Sequence, residues 1–210
     1  MLEKHGVETI LIENMECPIM VSRDDIVGVF LSPEQMSACS KHAELCSICG
    51  QSNVHTDKEE RKDVLSCDQV VGQVCTCAAT MWLGSSYDNG FSYYDRVRRK
   101  QNLTPYDGDG GDDIPPYRID VKGSLVRNDA KDLLSYNLLV RPKERHAGLI
   151  YLMALHFTPS IVALVGWALE TDLPVTGETF GVFSGAYRLS AASLRPVAEL
   201  RTRLRNEKNR

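Results

Sequence analysis

Apolar positions recur at helical spacing in the first part of the chain and in short continuous or alternating runs in the second. VETILI (7–12) and IVGVFL (26–31) are β-branched runs that predict short strands. Ser32-Pro33-Glu34-Gln35 follows, with proline at the first helical position and glutamine at the third. That is a capping-box pattern, and it predicts a helix from Pro33 to about Leu45 that stops by Gly50. Residues 51–64 (QSNVHTDKEERKDV) are polar and predict a loop or an exposed helical turn. A second helix is expected from Cys67 to Leu83: Asp68 lies near its start, Val70, Val74, Cys77 and Met81 recur at helical spacing, and Gly84 ends it.

Residues 85–112 are rich in Gly, Tyr, Asp and Asn and form a long irregular segment, a kind that is often functional inside compact domains. Beyond it the period shortens. RIDVKGSLV (118–126), SYNLLVR (135–141), AGLIYLMALHF (147–157) and SIVALVGWAL (160–169) predict an antiparallel run of strands. A final amphipathic helix is expected with Leu194, Val197, Leu200 and Leu204 inward. The order predicts an α/β or α+β sandwich around one sheet. Residues 147–169 are long enough to span a bilayer, but His156, Thr158, Pro159 and Ser160 break them. Two buried strands joined by a turn are expected, with no membrane span.

The 210 residues fit one compact domain, divided here into an N-terminal extension over 1–66 and a core over 67–210. A net charge of −4 argues against non-specific coating of nucleic acid, while leaving room for a local basic face. The start of the chain lacks a basic segment followed by an apolar run, so no signal peptide is expected. Seven cysteines, an odd number without a compact framework, suggest thiols or metal ligands in a reducing cytoplasm.

The sharpest chemistry lies in YDGDGGDDIPPYRIDVKGS. Asp120 and Lys122 are two apart on a predicted strand, so both side chains leave one face. A hairpin across Pro115-Pro116 would carry Asp113 back beside Asp120. Two carboxylates so held repel unless a cation neutralises them, and Mg²⁺ favours such oxygen ligands. A lysine beside the cation can orient or deprotonate the attacking water and stabilise charge on a phosphate.

GDDI (111–114) followed by IDVKGS (119–124) resembles the PD-(D/E)XK nuclease superfamily, particularly its small phage-type members. The resemblance extends to the helix ending in WLG (82–84), to LLVRP (138–142) and to GWA (166–168). It implies a restriction-endonuclease-like fold, with a central mixed sheet flanked by helices. It further implies a hydrolase cutting DNA, with Asp113, Asp120 and Lys122 as catalytic residues. Asp113 and Asp120 would hold Mg²⁺ or Mn²⁺, and a phage-type member would act in the host cytoplasm. One departure stands out. Such nucleases often carry a glutamate on the helix before the sheet, whereas GQVCTCAATMWLG (72–84) holds no acid and has Thr76 near that position. Asp88 or Asp95 could substitute spatially. A non-catalytic nucleic-acid or protein-binding module of the same fold is the alternative.

Secondary signals complete the picture. Arg96, Arg98, Arg99 and Lys100, with Tyr93 and Tyr94 before them, could grip phosphate and stack on bases. Ser124 could touch phosphate from the strand face of Lys122. The run 107–113 could be a calcium loop, but Arg118 stands where its twelfth-position glutamate would be. Cys46 and Cys49 form a CxxC that could hold zinc together with two of Cys39, His42, His55 and Cys67. There is no second CxxC, so zinc is not favoured.

Overall fold

The computed structural model describes residues 26–48, 61–84, 113–114, 117–126, 133–158, 160–180 and 183–208. The strand expected over 7–12 lies outside them. The elements, in order, are β1 (Val27–Phe30), α1 (Pro33–Ile48), α2 (Arg61–Trp82), β2 (Ile119–Leu125), β3 (Asn137–Val140), β4 (Ile150–Thr158), β5 (Ile161–Leu169), β6 (Glu178–Phe180), β7 (Phe183–Ser190) and α3 (Val197–Lys208).

The cap of α1 is reciprocal, as the sequence predicts: Ser32 N–H donates to Gln35 Oε1 at 2.6 Å and Gln35 N–H to Ser32 Oγ at 3.3 Å. Helix α2 begins at Arg61, earlier than Cys67, because Arg and Lys extend a helix readily despite their polarity. The boundary expected at residue 66 therefore falls inside α2. β1, from the expected extension, pairs with β5 as an edge of the main sheet.

The fold is mixed α+β with two sheets, a four-stranded one in the order β1-β5-β4-β2 and a three-stranded one in the order β3-β7-β6. An antiparallel run of successive strands is not what forms. β2 pairs with β4 in parallel, Asp120 opposite Tyr151 and Lys122 opposite Met153. Parallel neighbours need a long crossover, and residues 126–149 supply it by passing through β3 in the other sheet.

The main sheet is buried on both faces. Ile119, Val121, Ile150, Leu152, Ala154 and Leu164 join α2 and α3 in one core. Tyr151, Met153, Leu155 and Val165 join Leu138 and Val140 of β3 in the other. Burial on both sides explains why 147–169 reads as almost continuously apolar. No helix of the described residues is long and apolar enough to cross a membrane.

Gly123 sets the distance between α2 and β2. A Cβ there would lie 3.0 Å from Cys75 Sγ and 3.1 Å from Cys75 Cβ. Gly123→Ala is therefore expected to destabilise the protein by about 1–3 kcal/mol through overpacking. Combining it with Cys75→Ala, which removes the nearer atom, is expected to recover part of that loss. Urea unfolding of the two variants checks both statements.

Candidate active site

β2 lies at the edge of the main sheet, and its free side is where Asp113 returns. Asp113 N–H and Ile114 N–H both donate to Ile119 O, at 2.8 and 3.2 Å, and Tyr117 N–H donates to Ile114 O at 3.0 Å. The reversal is tight enough to place Arg118 in the left-handed region at φ 54°. Its guanidinium donates to Ala147 O at 2.8 Å and so ties the turn to the entrance of β4. One Asp113 oxygen then accepts from Val121 N–H at 2.8 Å, the donor that an edge strand otherwise leaves unpaired. The hairpin expected across Pro115-Pro116 thus returns Asp113 to β2, although residues 115–116 themselves lie outside the described set.

Asp120 and Lys122 leave β2 on the face opposite the helices. Asp120 is buried, and its Oδ2 lies 2.9 Å from Lys122 Nζ. That oxygen makes no well-aligned hydrogen bond among the described residues. The same ammonium lies 2.9 Å from Glu144 Oε2, a second carboxylate that sequence reasoning passed over. Glu144 sits at the end of a one-turn 3₁₀ helix, Pro142–Glu144, directly after β3. Its carboxylate accepts from the Arg141 guanidinium and from Arg141 N–H at 3.1 Å. Its backbone is fixed by Tyr151, whose hydroxyl donates to Glu144 O at 2.8 Å and accepts from His146 N–H at 3.1 Å.

These contacts divide the charges. Burial, together with the negative charge of Asp120, pushes the Asp113 carboxyl up to about 8. Burial also raises Asp120, against the opposing pull of Lys122. Burial works against the charge of Glu144, yet Arg141 and Lys122 outweigh it and hold that carboxyl down at about 2. Burial likewise disfavours the Lys122 ammonium, but Asp120 and Glu144 outweigh it and raise its pKa. At neutral pH Asp113 keeps its proton, while Glu144 stays ionised between Lys122 and Arg141. Lys122 is then a fixed cation, suited to stabilising charge and orienting a ligand but not to accepting a proton.

Asp113 and Asp120 are the two side chains here that could hold a small divalent cation. Asp113 is partly exposed, and the Oδ2 atom of Asp120 is a buried oxygen that lies in an ion pair with Lys122. Among the described residues no three His, Cys, Asp or Glu side chains are grouped to hold a metal by themselves. Mg²⁺ does not require three, since it commonly takes one or two carboxylates and completes its shell with water and phosphate oxygens.

The other candidates are placed less fully. Ser124 stands two residues beyond Lys122, partly exposed, opposite Leu155 of β4. Arg96, Arg98, Arg99, Lys100, Tyr93, Tyr94, Asp88, Asp95, His55, Cys49 and the Asp/Gly run before Asp113 lie outside the described residues, as does the side chain of Cys46. Cys39, Cys75 and Cys77 are buried and form no disulfide with one another. Burial pushes Cys75 up to about 12, which makes it an inert packing residue. Among the described side chains of α2, residues 69–82, those packed in the core are apolar and none is an acid that could replace the missing glutamate.

Comparison with family models, with characterised proteins and with solved structures gave no match.

Proposed function

We propose that this protein is a metal-dependent nuclease that hydrolyses DNA phosphodiester bonds at Asp113, Asp120 and Lys122. The observation that carries the proposal is one cluster on β2: Asp113, returned to the strand by its hydrogen bond from Val121 N–H, beside buried Asp120, with the Lys122 ammonium 2.9 Å from Asp120. Asp113 and Asp120 would hold Mg²⁺ or Mn²⁺, with Asp113 releasing its proton to do so. Such an ion, when bound, supplies Lewis-acid chemistry, activating water and polarising the phosphate. Lys122 keeps its proton, so its part is to donate hydrogen bonds to a phosphate oxygen as negative charge grows there. Ser124, farther along the strand, would donate its hydroxyl hydrogen to a neighbouring phosphate oxygen.

A non-catalytic module is favoured by one specific observation: residues 69–82 of α2 contain no acidic side chain that could reinforce the pair. The two readings separate in one assay. Wild type and Asp120→Asn are incubated with linear, circular and single-stranded DNA in Mg²⁺, Mn²⁺ or EDTA. The nuclease reading expects cleavage by wild type with either metal, none in EDTA, and a loss of at least about 100-fold in Asp120→Asn. Binding without cleavage in any metal would establish the module instead.

A further inference from the structure

Glu144 is buried, belongs to neither half of the D-x-K pattern, and has its carboxylate committed to Lys122 and Arg141. A surface ion pair needs no such support. Here the supporting groups converge from three places. Arg141 grips the carboxylate with its guanidinium and its backbone N–H, Tyr151 fixes the Glu144 carbonyl, and the neighbouring Arg145 is anchored by Glu170 at 2.6 Å and by Pro174 O at 2.8 Å. The turn after β3 is thereby locked over the face of β2 that carries Asp120 and Lys122.

The lock solves a problem that the cation creates. In the cluster as it stands, the Lys122 ammonium is shared between Asp120 and Glu144 at 2.9 Å each. Were Asp120 to hold a divalent ion, its carboxylate would be less available to Lys122, and the ammonium would be repelled by the added charge. With Asp120 alone, Lys122 would swing out; Glu144 gives it a second anchor that the ion does not compete for. Resting on the nuclease reading above, we infer that Glu144 is a positioning residue that retains the Lys122 ammonium in the active site when the carboxylate pair binds its cation, with Arg141 holding Glu144 in turn.

The test compares Glu144→Gln with Glu170→Gln. Gln at 144 keeps the shape and an acceptor for Arg141 N–H but removes the charge facing Lys122. Gln at 170 loosens the same turn without touching Lys122. In saturating Mg²⁺, the single-turnover cleavage rate of Glu144→Gln is expected to fall about 10–100-fold, with DNA affinity within a few-fold, as expected for a displaced catalytic group. Glu170→Gln, which loosens the turn but leaves both carboxylates beside Lys122, is expected to lose no more than about two- to three-fold. Independently of cleavage, the ¹⁵Nζ ammonium signal of Lys122 is expected to be visible at neutral pH with Mg²⁺ in wild type and Glu170→Gln, and broadened by solvent exchange in Glu144→Gln. Equal rates in wild type and Glu144→Gln, equal losses in both variants, or an unchanged Lys122 signal in Glu144→Gln would overturn the inference. A wild type that cuts nothing, yet loses the Lys122 signal in Glu144→Gln, would overturn the nuclease reading while upholding the anchoring of Lys122.

Discussion

Asp113→Asn is expected to make the metal-free protein more stable while abolishing cleavage. The Asp113 carboxyl is raised to about 8 by burial and by the charge of Asp120, well above the ordinary carboxylate range. The sign follows from proton binding. Between the ordinary carboxylate pKa near 4 and the folded value, the folded state holds a proton that the unfolded state has lost. Stability contributed by this group is therefore full in acid and declines as pH rises towards 8. Asparagine retains an oxygen for Val121 N–H and carries no charge at any pH. The gain in EDTA at pH 8 is expected to be about 2–4 kcal/mol, or a rise in Tm of roughly 5–10 °C for a domain of this size. It is expected to vanish near pH 4, where wild type is also neutral at this position. Millimolar Mg²⁺ is expected to raise the Tm of wild type and leave that of Asp113→Asn nearly unchanged. Thermal unfolding at the two pH values, with and without Mg²⁺, reads all of this. A variant less stable than wild type at pH 8 would contradict the charge repulsion assigned to the pair.

Lys122→Ala carries the second large effect, and it runs the other way. Lys122 lies between Asp120 and Glu144, and both of those side chains are almost wholly buried. Removing the cation leaves them facing one another, a loss expected to cost about 3–5 kcal/mol at pH 8. Without Lys122 the carboxyls pick up protons more readily, so the deficit relative to wild type is expected to shrink as the pH falls towards 5. Cleavage measured at low temperature, where the variant remains folded, is expected to be nearly abolished, with DNA affinity within a few-fold of wild type. Urea unfolding at the two pH values and single-turnover cleavage measure the two halves separately. Little loss of stability at pH 8 would mean that Lys122 is a solvated surface cation.

The parts of this arrangement that sequence made legible are local ones. Ser32 and Gln35 cap α1 within one turn, and Asp120 and Lys122 share a face because strand side chains alternate. The return of Asp113 was readable from the Pro115-Pro116 turn because only a few residues separate it from β2. Glu144 was not. Pro142-Lys143-Glu144 looks like an ordinary polar connector, and the glutamate's partner at the site is Lys122 on a distant stretch of chain. A hint was present in Arg141, three residues before it on the same short turn, but an i,i+3 pair is common on surfaces. The parallel pairing of β2 with β4 was equally invisible, since alternation of side chains does not encode strand direction. β6 and β7 were passed over because Glu178, Ser184 and Arg188 keep one side of them exposed and polar. The alternation of part-buried Tyr187 and Leu189 with exposed Arg188 and Ser190 was the signal that could have found β7.

Direct titration of the cation site tests the central claim without requiring the right DNA substrate. Mn²⁺ added to metal-free wild type and to Asp120→Asn, followed by calorimetry at pH 8, is expected to show one ion per chain bound by wild type, with release of protons from Asp113. Asp120→Asn is expected to show no such binding. Equal binding by the two proteins, or none by wild type, would contradict a cation site built from Asp113 and Asp120.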